Sequence, residues 1–324
     1  MSTRRLGFFT RLLPDRPGAP ASVLYSQARE QFLLAERLGY DVGWVAQHHF
    51  DVEEGGLPSP LVFLAWAAAQ TERIRLGTAI ITLAFEDPIR VAEDAAVLDV
   101  LCGGRLELGV GTGGYDALFT AFGGDPAERN ELFAKNFHRL RDALHGSGLD
   151  ARHRAVHPGG HRLLDDIWQA TFSVPGGARA ARDGCGLLLS RTQPRPPDKT
   201  LHQVQRPIVD AYLEALPVGL APRIGASRSV FVLHDGVRAK ELARQGVARH
   251  VDWLRRNDLP VPDIIDVNAG TPAEVIGMLA ADPIVAEATD LIVQVHPVDP
   301  PSDDVLQSLE LIATEVAPAL RFRR

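Results

Sequence analysis

Gln47-His48-His49-Phe50 closes a short apolar run. A histidine in that place has the chemistry of a general base, or of a hydrogen-bond donor to an oxyanion, because its unperturbed pKa lies near neutrality. A histidine held in a loop for packing explains the residues equally well. Adjacent residues at a strand end point apart, so the pair is not expected to share a metal. Gly109-Val110-Gly111-Thr112-Gly113-Gly114 has the GxGxxG spacing of a dinucleotide-binding loop. In that fold the motif follows the first strand, whereas here three strand–helix units precede it. The Phe119, Phe122, Gly123, Gly124 and Pro126 that follow suit a tight loop closely approached by a ligand. Ser173-Val174-Pro175-Gly176-Gly177 leads into a short helix expected over 176–183, so a hydroxyl and backbone N–H groups converge on a helix N-terminus, a place for a phosphate. A serine cap with glycines for a tight turn is the structural alternative.

Other patterns exclude chemistry. His153, His157 and His161 are spaced four apart, but Pro158-Gly159-Gly160 breaks any helix that would align them on a metal. HExxH, the P-loop lysine motif and GxSxG do not occur, so zinc proteolysis, nucleotide hydrolysis and α/β-hydrolase chemistry lack support.

These residues need elements to hold them. Near-continuously apolar runs at 5–9, 42–47, 73–83, 105–111, 166–171, 186–190, 224–233 and 289–296 alternate with stretches of helical spacing, as strands buried on both faces do in parallel α/β architecture. Ser22, Asp87-Pro88, Asp125-Pro126 and Thr271-Pro272 supply helix-start signals. Eight strand–helix units with no break in composition predict one domain over 1–324, a single (β/α)8 TIM barrel; a doubly wound sheet is the alternative. The stretches 146–165 and 191–203 are rich in Gly, Pro and Arg and predict long loops. The second follows a strand, which puts it at the C-terminal face where barrel active sites lie.

The bulk composition narrows the partners. The 324 residues are 45% hydrophobic with a formal charge of -7 and arginines scattered among acids, which gives nucleic acid no basic field. Cys102 and Cys185 form no CxxC pair, so a reducing cytoplasm is expected. The N-terminal apolar stretch is interrupted by Arg11 and Pro14, and no later run is long enough to span a membrane.

Over nearly its whole length the chain resembles bacterial luciferase and its flavin-dependent monooxygenase relatives. Residues 47–50 are similar to that family's His-His-Phe segment, 76–105 to its third strand and helix, and 109–123 to its fourth strand and Gly-Tyr-Asp loop. Residues 168–196 resemble an FMN-dependent subgroup. The resemblance implies a catalytic role for His48, a non-prolyl cis bond at Ala79-Ile80 beside the flavin ring, and an FMN phosphate site at Ser173, Val174, Gly176 and Gly177. Gly111 stands where luciferase has a reactive cysteine, so light emission does not carry over. Thr112 stands where luciferase has a phosphate-reaching arginine, a task left to Arg191 or Arg195.

The activity implied is oxidation of a small organic substrate by reduced FMN and molecular oxygen through a flavin peroxide, with the 112–125 and 191–203 loops closing over the site. A separate flavin reductase and a homodimer are implied as well. A deazaflavin coenzyme performing hydride transfer on the same barrel, or a flavin-binding protein without catalysis, are the alternatives. Arg191 and Arg195 suit an anionic group on the substrate, and Phe8, Phe9, Trp44 and Phe85 an apolar pocket; solvated charge and core packing account for the same residues.

Overall fold

A computed structural model describes residues 4–14, 16, 18–294 and 300–322. Its strands are β1 (Arg5–Thr10), β2 (Val42–Val45), β3 (Arg75–Thr78), β4 (Ile81–Thr82), β5 (Leu106–Gly111), β6 (Ile167–Ala170), β7 (Gly186–Leu189), β8 (Ile224–Val232), β9 (Asn268–Gly270) and β10 (Asp290–Gln294). All their pairings are parallel, and the path β1-β2-β3-β5-β6-β7-β8 returns to β1 through β10. The result is a closed eight-stranded (β/α)8 barrel.

Three expectations need correcting. The predicted 73–83 strand is interrupted between β3 and β4, where the Ala79-Ile80 peptide bond is cis. Beyond β8 the chain makes an insertion, a helix at Gly236–Arg256 and the three-residue β9, which pairs only with the upper end of β8 at Val230–Val232. Ser22 lies inside its helix, which starts at Ala21 after an uncapped Pro20. By contrast, Asp87 accepts from the Ile89 and Arg90 N–H groups, and Thr271 forms a reciprocal capping box with Glu274. Val295 and His296 of the last predicted strand fall outside the described residues.

The lumen is packed by indoles that glycines admit. Trp44 and Trp168 meet edge to face at 5.8 Å, both fully buried. A Cβ on Gly77 would overlap the Trp44 ring, and one on Gly186 the Trp168 ring. Phe9, Ala46, Ala79, Ile80 and Ala170 lie above the indoles and form an apolar floor at the C-terminal ends of the strands. At the opposite end Arg5 binds Glu107 and Asp290, and the Trp168 indole N–H donates to Glu107 at 2.5 Å. Burial pushes the Asp290 carboxyl up to about 6.

Candidate active site

Among the described residues, a group of polar side chains stands at the edge of this apolar floor. His48 follows β2, and its Nδ1 stands 3.0 Å from Oε1 of the buried Glu54. A carboxylate facing Nδ1 at this distance favours the tautomer with the hydrogen on Nδ1 and the lone pair on Nε2. Gly55 makes this packing possible, since a Cβ at that position would lie 2.5 Å from the His48 ring. Tyr115, from the loop after β5, also turns its phenol toward Glu54. Burial lowers the His48 pKa, Glu54 works against that shift, and Arg11 and Arg191 reinforce it, so the net direction is down. Burial and Glu54 raise the Tyr115 phenol, which stays protonated. The ring of His49 turns elsewhere, toward Phe85 and Phe122 at 5.7 and 4.9 Å. Among the described residues no group of three or more His, Cys, Asp or Glu is placed to hold a metal.

The second feature is the start of the helix at Val174–Arg182, two residues earlier than expected. The Gly176 N–H donates to Ser173 Oγ at 3.2 Å and the Gly177 N–H to Ser173 O at 3.1 Å. Pro175 has no N–H to offer. Thr171 Oγ1 stands 3.3 Å from Ser173 Oγ and accepts from the Ser173 N–H at 3.1 Å, so two hydroxyls flank an exposed helix N-terminus. A Cβ on Gly176 would overlap the Thr171 hydroxyl. Gly177 has another reason to be glycine, because a Cβ there would lie 2.6 Å from the Ile208 carbonyl of the next helix. The two hydroxyls, with the Val174 N–H beside them at the positive end of the helix, fit a phosphate. Gly111 abuts the cis bond, since a Cβ on it would lie 2.9 Å from Ile80 Cδ1. The flat floor this leaves fits a planar ring. Thr112, partly buried, bonds only its neighbour's carbonyl, from Oγ1 to Gly113 O at 3.4 Å.

The two arginines of the 191–203 segment part company. Arg195 pairs with Asp266. Arg191 turns back across the mouth, its guanidinium 4.7 Å above the Phe9 ring and within the electrostatic reach of Arg11, Tyr115 and His48. Phe8 and Trp44 are core residues, whereas Phe9 and Phe85 border the mouth. The inserted helix covers one side of the mouth: Trp253 Nε1 donates to Asp51 Oδ2 at 2.7 Å, Arg256 pairs with Glu53 at 2.7 Å, and His250 stacks on Trp253. Burial, with Arg11 and Arg191, holds His250 down to about 4.

A family model described as luciferase-like monooxygenase matches residues 5–275. The chain belongs to the luciferase-like monooxygenase family. Within that family it is 41% identical over 168 residues to 4-hydroxyprotoasukamycin monooxygenase of Streptomyces nodosus subsp. asukaensis, covering 43% of this chain and 45% of that protein. It is 38% identical over 146 residues to an F420-dependent glucose-6-phosphate dehydrogenase of Kineococcus radiotolerans, covering 40% and 41%. The crystal structure of the monooxygenase RslO1 from Streptomyces bottropensis superposes with a TM-score of 0.78 at 25% identity, over 97% of this chain and 99% of that one. The chain spans roughly half the length of the curated relatives it matches. Both monooxygenases and deazaflavin-dependent oxidoreductases are thus among the relatives of this luciferase-like chain.

Glu54, Tyr115, Arg11 and His250 were not singled out from the sequence. The acidic cluster Asp51, Glu53, Glu54 and the Tyr115 of the Gly-Tyr-Asp loop were visible there, but their meeting at His48 depends on barrel closure.

Proposed function

We propose that this protein is a monooxygenase that takes reduced FMN from a separate reductase and, with molecular oxygen, oxidises a small organic substrate. The observation that carries the reading is His48, held through Nδ1 by Glu54 with Nε2 available, at the edge of the same apolar floor that Ala79, Ile80 and Gly111 build. When bound, the reduced flavin supplies the electrons that activate oxygen. Thr171, Ser173 and the Val174 N–H would hold its phosphate, the Gly176 and Gly177 N–H groups bracing Ser173 behind them, with Thr112 close by on the loop after β5, and the floor would hold its ring. His48 Nε2 takes or returns a proton there, and Glu54 keeps the ring in the tautomer that does so. Tyr115, the loop over 190–200 and the helix at Gly236–Arg256 keep water from the floor.

A homodimer is part of the proposal. The adjoining helices Pro60–Ala68 and Pro88–Leu101 expose Val62, Trp66, Val97, Val100 and Leu101, an apolar face suited to a second copy.

The 38% identical F420-dependent relative favours the second reading, hydride transfer by a deazaflavin. Anaerobic titration with reduced FMN and with reduced deazaflavin, followed by mixing with air, tests the choice. Tight reduced-FMN binding and an oxygen-dependent spectral transient are expected. Deazaflavin binding alone, with no such transient, would replace the monooxygenase by a dehydrogenase.

A further inference from the structure

The arginines that the fold draws inward are nearly all answered by an acid or by carbonyls. Arg5 and Arg75 share Glu107, Arg162 has Asp99 and Asp166, Arg195 has Asp266, and Arg228 has Asp282. Arg105 and Arg223 bond backbone carbonyls. Arg191 differs: its guanidinium lies on the Phe9 ring, and among the described residues no carboxylate pairs with it. Its charged neighbour is Arg11, which is buried just beyond β1 and carries the same sign. Around this pair stand His48, His250 and the Tyr115 phenol. Glu54 turns its carboxylate to His48 and Tyr115 and does not figure among the charges acting on Arg191.

A partly buried guanidinium with no acid beside it is costly unless something negative compensates it. Burial and Arg11 together hold the Arg191 pKa well down, which expresses the same cost in another form. A planar fork of N–H donors above an aromatic ring matches the two oxygens of a carboxylate. The mouth rim adds an apolar shelf. Phe85 and Phe122 stack at 4.6 Å, Phe50 stacks on Phe122 at 5.8 Å, and Phe50 is 78% exposed.

We propose that Arg191 is the seat for a carboxylate on the substrate, so that the enzyme acts on organic acids whose apolar body lies against the Phe50–Phe85–Phe122 shelf. The inference rests on the monooxygenase reading for the reaction, and it moves Arg191 from the cofactor to the substrate. The carboxylate binds by ion pairing and is not consumed. Arg191 is a specificity-determining residue, and His48 remains the group that handles protons.

The test is calorimetric binding of phenylacetate and its neutral analogue phenylacetamide to the FMN-loaded full chain, in the wild type and in Arg191→Met and Arg191→Lys, with reduced-FMN affinity measured in parallel. The wild type is expected to prefer the acid about tenfold or more, as one charge-assisted bidentate contact gives. Arg191→Met loses that preference, Arg191→Lys keeps part of it, and FMN affinity stays within about twofold in both. Equal binding of acid and amide by the wild type overturns the proposal. A loss of FMN affinity in Arg191→Met with the acid preference intact overturns it too, and returns Arg191 to the cofactor. If the wild type binds no FMN, the cofactor reading fails by itself. The same comparison on the cofactor-free chain then decides the seat, a preference for the acid supporting it and its absence overturning it. Circular dichroism of Arg191→Met, with Arg191→Lys as the milder change, separates lost binding from lost folding.

Discussion

His48 stands between opposing fields. Burial, Arg11 and Arg191 favour the neutral ring, and Glu54 favours the imidazolium; the balance lies below the ordinary value of 6.5. Neutral imidazole is the form that accepts a proton, so activity should fall as pH drops through a pKa below 6.5. Glu54→Gln removes the group that raises this pKa and should move the acid limb to lower pH. Arg191→Met removes one that lowers it and should move the limb to higher pH. Profiles of kcat against pH for the three proteins check both signs, and limbs that coincide would remove His48 from the proton path. His48→Ala should lower kcat by about 100-fold or more with FMN affinity little changed. His250 supplies a stability counterpart. Its folded pKa of about 4 lies below the ordinary 6.5, so the unfolded chain takes up a proton that the folded chain refuses. The contribution is therefore complete above pH 6.5 and is lost progressively as pH falls toward 4. Urea midpoints of His250→Gln should decline less steeply over that window than those of the wild type.

Among the elements, glycines separate packing from propensity. Gly77 has the Trp44 ring where a Cβ would be, so Gly77→Ala should destabilise by about 1–3 kcal/mol through overpacking. Gly277, exposed on the helix Pro272–Ala280, has nothing within 4 Å of that position, and Gly277→Ala should stabilise by about 0.5–1 kcal/mol. Urea denaturation measures both, and equal effects would refute the packing account. The same contrast explains what the sequence made legible. The apolar runs that become the barrel strands and the caps at Asp87 and Thr271 are short-range signals, and they could be recognised before any tertiary contact was known. The break between β3 and β4 was marked only by resemblance, since 73–83 reads as one near-continuous strand with no turn residue at Ala79-Ile80. β9 is three residues long and carries no periodicity. The Glu54–His48–Tyr115 meeting joins the loops after β2 and β5, a contact that only closure of the ring creates. Arg191 was chosen for its charge, but the direction of its side chain depends on Phe9 at the far end of the chain.

For the molecule as a whole, the proposed dimer assigns the two faces of the helices Pro60–Ala68 and Pro88–Leu101 to different partners, the barrel on one side and a second copy on the other. Leu101, 67% exposed, is a sharp probe. Leu101→Glu buries a charge in such an interface and should give monomers in sedimentation at concentrations where the wild type is dimeric; a wild type that sediments as a monomer overturns the dimer. Among the described residues, no helix is long and apolar enough to cross a membrane.

One strand serves two structures. Gly225–Ser229 of β8 pair with β10 and close the ring, whereas Val230–Val232 pair with β9 and carry the insertion whose helix reaches Asp51 and Glu53. Closure and cover are therefore written in separate stretches of the same strand. A lineage can lengthen, trim or exchange the cover without reopening the ring, and so change which molecules are admitted while the machinery beneath them is inherited intact.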